Sequence, residues 1–247
     1  MLHNIWNAVL FRPLVNLLAF FVYLVPGGDV GIAIIALTIL VKALLFPLSQ
    51  RSIESQAKMS VLAPELNKIK SSGKSQEEQA KATLELYKKH NANPFSGCLL
   101  ILIQIPIIIA LYLVFLKGIS FDNGILYSFV PSPEKLNTMF LGLIDLSEKS
   151  LLLAILAGAS QYLQAHFMPK PNNSPETAGT FAHSFSKSMH IQMKYFFPFL
   201  IAFIAYSISG AIALYWLVSN LFSTLQQVYA NKRKHSMLTV KNSNEQK

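Results

Sequence analysis

An all-α integral membrane protein is the fold class this sequence predicts, and three observations predict it. Apolar residues fill 52% of its 247 positions and charged ones only 13%, a balance far from that of soluble domains. Apolar runs near the ~20 residues needed to cross a bilayer recur along the chain. Between them the charges crowd into a few stretches, and Lys and Arg dominate alternate ones.

The first element, IWNAVLFRPLVNLLAFFVYLV, leaves two readings open. Pro13 is expected to break or start a helix. Leu14 to Val25 would then reach only about 18 Å at ~1.5 Å per residue, too short to cross. Arg12, Asn16 and Tyr23 give the segment a polar side, so residues 1–30 read as an outer interfacial helix and lead-in. A sixth span or uncleaved signal anchor is the alternative, and PGGD follows where a cleavage site would need small residues.

Five spans are expected at 31–50, 97–117, 150–168, 193–209 and 211–229. Ser209 and Gly210 are expected to supply the tight reversal between the last two, because glycine accepts backbone angles that other residues avoid. Residues 51–96 read as a cytoplasmic helical hairpin. Met59, Leu62, Leu66 and Ile69 share one helical face, Ala80, Leu84 and Tyr87 another, SSGKS at 71–75 forms the turn, and Pro64 is expected to kink the first helix. About 40 residues is long for a mere connector, which favours a docking role. An outer loop at 118–149, a cytoplasmic loop at 169–192 and a basic, unstructured cytoplasmic tail at 230–247 complete the chain.

Orientation follows from the cations. Arg51, Lys58, Lys68, Lys70, Lys74, Lys81, Lys88 and Lys89 lie in the hairpin, Lys170, Lys187 and Lys194 after the third span, and Lys232, Arg233, Lys234, Lys241 and Lys247 in the tail. The alternate segments hold only Arg12, Lys117, Lys135 and Lys149. The bias puts the N-terminus outside and the C-terminus in the cytoplasm, the parity of an odd number of spans.

Several chemistries are excluded. The single cysteine, Cys98, has no partner for an intramolecular disulfide, and no Cys/His/Asp cluster has metal-ligand spacing. The six histidines are scattered over loops and span ends, with no Ser or Cys grouped for nucleophilic catalysis. No enzyme activity and no cofactor are expected.

The feature that demands explanation is Lys42, set in LTILVKALLFPLS at 37–49. A lysine at the centre of a span costs about 2.5 to 3.5 kcal/mol on insertion scales, and each Leu, Ile, Phe or Val returns roughly 0.3 to 0.6. The surrounding apolar residues outweigh that penalty, so what needs solving is hydration of the ammonium. It could snorkel about 10 Å to the cytoplasmic surface, or face a wet recess inside the bundle. Other spans carry matching polar residues. Thr38 and Ser49 flank Lys42, Gln104 lies in the second span, and Ser160, Gln161 and Gln164 in the third. In the fifth, Tyr215, Ser219 and Ser223 climb one face and Trp216, Asn220 and Gln227 its neighbour. Interhelical hydrogen bonding explains any one of these; a cytoplasm-open groove lined by hydroxyls, amides and one cation explains all of them. The candidate groove residues are Lys42, Thr38, Gln104, Gln161, Gln164, Tyr215, Trp216, Ser219 and Asn220. A small-solute transporter or channel is the rival use of such a site, though no internal repeat or paired broken helices accompany it.

NANPFSGCLLILIQIPIIIALY at 91–112, ALYWLVSNLFSTLQQ at 213–227, LTILVKALLFPLS at 37–49 and FLGLIDLS at 140–147 together resemble, in this order, the YidC/Oxa/Alb membrane protein insertases. The resemblance covers about residues 14–230. It implies a five-span core with a hydrophilic groove closed on the outer side, a cytoplasmic hairpin and an outer interfacial helix. It also implies insertion and chaperoning of nascent membrane proteins, with their hydrophilic flanks entering the groove and their apolar parts passing into lipid. Nascent membrane proteins and the lipid bilayer are the implied partners, and the ribosome and a Sec-type translocon are further candidates. The basic tail either touches ribosomal RNA or enforces orientation. A bacterial plasma membrane is the expected location, since no Arg-rich transit peptide is apparent. Three positions depart from the family pattern: Lys42 stands where an arginine is usual, Leu100 where a proline follows Gly-Cys, and ISGAIALYW lacks its proline. A lysine can lose its proton in a dry site, so this groove is expected to be wet.

Overall fold

The computed structural model describes residues 6–93, 96–116, 124–168, 188 and 191–245. The expected cytoplasmic loop at 169–192 and the Pro94–Phe95 pair of the NANPF motif lie almost entirely outside the described residues, as does the start of the outer loop. The fold is mostly helical. A π-helical stretch Asn7–Phe11 leads into α1 (Arg12–Leu24); α2 spans Val30–Lys70, α3 Gln76–Lys89 and α4 Ser96–Leu116. A short hairpin of β1 (Met139–Phe140) and β2 (Ile144–Asp145) precedes α5 (Leu151–Phe167). A second π-helical stretch, Gln192–Phe196, opens α6 (Phe197–Ile208), and α7 runs Gly210–Glu245.

Two helices among the described residues, Asn7–Leu24 and Val30–Lys58, are long and apolar enough to cross a membrane by length and composition. The first is longer than expected. Helix continues through Pro13, and the wider π turn before it, in which Arg12 N donates to Asn7 O, accommodates the ring and joins the two pieces. At 41 residues, α2 carries the first expected span into the hairpin without a break, with Pro47 and Pro64 inside it. Its N-terminus is set by Asp29, whose Oδ1 accepts the amides of Gly31 at 2.7 Å and Ile32 at 3.1 Å. Ser75 and Glu78 form a capping box that starts α3, and Ser150 caps α5.

In the hairpin Leu62 is buried, but α3 buries no residue and turns Ala80 and Leu84 to the surface. Thr83, Leu86 and Tyr87 are its half-buried face instead, a register shift that three apolar residues in a polar helix could not specify. Burial raises the Tyr87 hydroxyl above its ordinary pKa. Ser55 ties the end of the hairpin back to α2, accepting from Asn93 N at 2.8 Å and donating to Asn93 O at 3.1 Å.

The tail also departs from expectation. Backbone helix continues to Glu245 because no Gly or Pro interrupts the chain after Gly210. Nor does Gly210 serve as a left-handed hinge: Ser209 is fully extended and Gly210 is not among the glycines with positive φ. What Gly210 permits is close approach. A Cβ there would lie 3.2 Å from Leu146 Cα and 3.4 Å from the carbonyl oxygens of Asp145 and Glu148, while its amide donates to Glu148 O at 2.7 Å.

The segment 124–150 fastens the bundle at one end. Arg12 Nε donates to Ile125 O at 2.9 Å and stacks its guanidinium over Tyr127; buried Asn16 accepts from Tyr127 N at 2.6 Å. Val30 N donates to Asn137 O, and Asp29 Oδ2 accepts from Leu141 N at 2.8 Å. Beneath this clasp lies the apolar core, built from Leu18, Val22, Ala33, Ile34, Leu37, Ala110, Leu111, Ala154, Ala157 and Ile212 to Leu214. Elsewhere the helices turn large apolar side chains outward, Leu44, Ile155, Phe199, Phe203 and Leu225 among them. An apolar exterior of this kind suits lipid, not water.

Candidate functional site

Beyond the apolar core the bundle opens into a cavity of about 290 Å³ between α2, α4, α5, α6 and α7. Its wall follows α2 from Lys42 to Gln56 and α7 from Trp216 to Gln227. Because α2, α5 and α7 run in the same direction, the cavity lies toward their C-terminal ends, and the dry core toward their N-terminal ends.

Lys42 is half-buried on this wall and Nζ donates to Ser223 Oγ at 3.1 Å. Among the described residues that line the cavity none is acidic, so the ammonium has a hydroxyl for company and no counter-charge on the wall. One turn further along, Gln226 Nε2 donates to Ser49 Oγ at 2.7 Å and Phe46 O at 3.3 Å, joining α7 to α2. Across the cavity, Asn220 Nδ2 donates to Ser160 Oγ at 3.1 Å, and Ser160 in turn donates to Ala157 O at 2.7 Å. These bonds hold the polar side chains of three helices toward a common space, which is the arrangement that can accept a hydrated or hydrogen-bonding guest.

Of the residues singled out from the sequence, Lys42, Gln104, Gln161, Gln164, Trp216, Ser219 and Asn220 line the cavity. Two do not. Thr38 is buried in the dry half and donates to Ile34 O of its own helix at 2.7 Å, the usual way a threonine hides its hydroxyl in an apolar span. Tyr215 is buried behind the wall, where Gln104 Nε2 donates to its hydroxyl. Gln56 and Gln226 line the cavity without having been singled out. Their signal was spacing: Gln226 is three residues after Ser223 on the Ser219 face, and Gln56 is seven after Ser49.

Residues 21–237 match the family described as 60Kd inner membrane protein. A curated relative from Clostridium tetani, named membrane protein insertase YidC, is 34% identical over 217 residues, covering 85% of this chain and 86% of its own. Another of that name, from Wolinella succinogenes, is 33% identical over 208 residues, and one from Pelobacter propionicus 31% identical over 228. The chain spans only 34% and 39% of the length of those two. Among solved structures, a crystal structure of an active YidC insertase with its first transmembrane domain resolved is similar in fold, with a TM-score of 0.54 and 24% identity over 89% of this chain and 46% of that one.

Proposed function

This chain belongs to the 60Kd inner membrane protein family, and from that membership we propose that it is a membrane protein insertase and chaperone of the bacterial inner membrane. It works without a covalent step. Nascent membrane proteins are its substrates, and the bilayer is both its solvent and the destination of their apolar segments.

The observation that carries this reading is a cation facing a cavity on the flank of an apolar bundle, where amides and hydroxyls project among apolar side chains such as Leu45, Ile105 and Ile201. The cavity is large enough for on the order of ten waters. A polar backbone group or charge stranded in hydrocarbon costs several kcal/mol, and each 1.36 kcal/mol removed from a barrier is about tenfold in rate. The amides and hydroxyls that this mixed wall carries, with Lys42 among them, lower that barrier for a short hydrophilic flank and draw in acidic ones first. The finer architecture is part of the proposal: five spans, Lys- and Arg-rich segments in the cytoplasm, the N-terminus outside, and Asn7–Leu24 along the outer interface. In that orientation the cavity faces the cytoplasm and the dry core seals the outer side. A docking role for the α2–α3 hairpin fits the absence of buried residues in α3.

The experiment is insertion into liposomes of paired substrates whose translocated tails are acidic or neutral. Lys42→Arg is expected to retain activity. Lys42→Ala is expected to slow the acidic tail by roughly tenfold, the loss of one exposed-to-buried charge interaction of about 1.4 kcal/mol, and the neutral tail far less. Equal losses on both tails would reject the attraction; no loss on either would reject the site.

A further inference from the structure

The turn of the β1–β2 hairpin presents an unusual surface. Leu141 and Leu143 are 60% and 79% exposed, and from Leu136 to Ile144 the segment holds no charge, whereas Glu134 and Lys135 precede it and Asp145, Glu148 and Lys149 follow. Leu141 has φ 50°, and Gly142 beside it φ 70°. Two successive left-handed residues are ordinary in a tight hairpin, but the first is normally Gly, Asn or Asp, because a Cβ is disfavoured there. A leucine that is neither buried nor comfortable is not explained by folding.

The backbone beneath it is unusual in a matching way. Leu141 N donates to Asp29 Oδ2 at 2.8 Å, Gly142 N to Met139 O at 3.1 Å and Leu143 N to Phe140 O at 2.9 Å. Every N–H of the turn is satisfied inside the protein, so insertion as far as the hydrated headgroup level strands no donor. Its level in the fold is fixed as well. The Phe140 ring packs on Gly31 in the first turn of α2, and the exposed apolar flank of α5 begins at Leu151 and Leu152, a few residues past the hairpin.

We propose that the Leu141–Leu143 turn inserts into the lipid at the headgroup–acyl boundary, anchoring the clasp over the N-termini of α2 and α7 to the bilayer. Lipid is the occupant because Leu141 and Leu143 are exposed in an uncharged stretch that sits over the first turn of α2, because the N–H groups of the turn are already paired, and because charges bracket that stretch in sequence. This rests on the reading of α2 as a spanning helix.

The test uses full-length Cys98→Ser protein in phosphatidylethanolamine–phosphatidylglycerol vesicles, with a nitroxide on Leu143→Cys and, separately, on Glu134→Cys and Ile39→Cys. Leu143 is exposed, so the label leaves packing intact. Power saturation compares collisions with oxygen, which concentrates in lipid, and with an aqueous nickel chelate. The expected result is severalfold more oxygen than nickel collisions at 143, like 39 and opposite to 134. Nickel-dominated collisions at 143 with oxygen-dominated ones at 39 would overturn the anchor and leave the span. Nickel-dominated collisions at both would overturn the span itself and the anchor with it. Dipolar broadening at 143 that vanishes on dilution with unlabelled protein would assign the turn to a second copy of the chain and overturn the lipid contact.

Discussion

At the end of the bundle where α2 and α7 begin, Ala33, Ile34, Ala157 and Ala213 are completely buried and small residues set the spacing. Toward the other end the same helices stand apart around Lys42, Gln104, Asn220 and Gln226. The change takes a single turn of α2: Thr38 turns its hydroxyl back on its own helix, and Lys42, four residues on, reaches across to Ser223. The first half is a protein interior in the ordinary sense, where shape complementarity and satisfied backbone groups decide stability. The second gives up packing to keep a space into which Lys42, amides and hydroxyls project among apolar side chains. Substitutions should therefore cost stability in the first half and activity in the second.

The largest effect is expected at Gly31. A Cβ there would lie 2.7 Å from Phe140 Cγ and 2.9 Å from Phe140 Cβ, so the ring cannot simply swing aside. Gly31→Ala should destabilise by about 3 kcal/mol, the upper part of the overpacking range, as read by unfolding in mild detergent. Adding Phe140→Ala should recover part of that loss, because the two changes share one contact. Additive losses would mean that this end is not packed as described.

Next comes Asp29→Ala. The carboxylate accepts the amides of Gly31, Ile32 and Leu141 and is itself buried. Losing a helix cap and a buried link to the hairpin should cost about 2 kcal/mol, with Asp29→Asn in between, because its amide nitrogen cannot accept from Leu141. Unfolding midpoints of the three proteins check the order.

The sequence made these two halves unequally legible. A cation in an apolar span is conspicuous, and hydroxyls and amides at helical spacing announce a polar stripe, so most of the cavity wall could be named from residue type and period alone. What could not be read was anything decided by a distant neighbour. Gly31, Gly158 and Gly210 look like three flexible residues, yet they are contact points for Phe140, for Ala202 and the Pro198 carbonyl, and for Leu146. Thr38 and Tyr215 carry the right chemistry and point elsewhere, since polarity gives the stripe but not its exact rotation. Pro13 was expected to break or start a helix, and the α-helix does start there, but a π turn joins it to helix upstream. Propensity is local, and each of these outcomes was settled by packing.

A smaller effect of opposite sign is expected at Ser209, whose buried Oγ finds no hydrogen-bond partner among the described residues. In a dry interior an unpaired hydroxyl is a cost, and Ser209→Ala should raise stability by about 1 kcal/mol. A loss of similar size would mean that water reaches this end of the bundle, and the contrast between the halves would weaken accordingly.

The smallest change in stability is expected in the half that holds the cavity, and it is the sharpest test of the contrast. Gln226 is buried and links α7 to Ser49 and the Phe46 carbonyl, which on paper resembles the Asp29 site. The difference is what remains after removal. With Gln226→Leu, Ser49 Oγ still donates to Phe46 O at 3.0 Å, and water in the cavity can replace the lost amide, so no group is stranded. The stability change should stay within about 0.5 kcal/mol, while insertion of a substrate with a hydrophilic flank should slow severalfold because the wall has lost a donor and an acceptor. Unfolding and insertion measured on the same preparation separate the two. If Gln226→Leu destabilises as much as Asp29→Ala, the cavity is not hydrated and its polar groups serve to hold helices together.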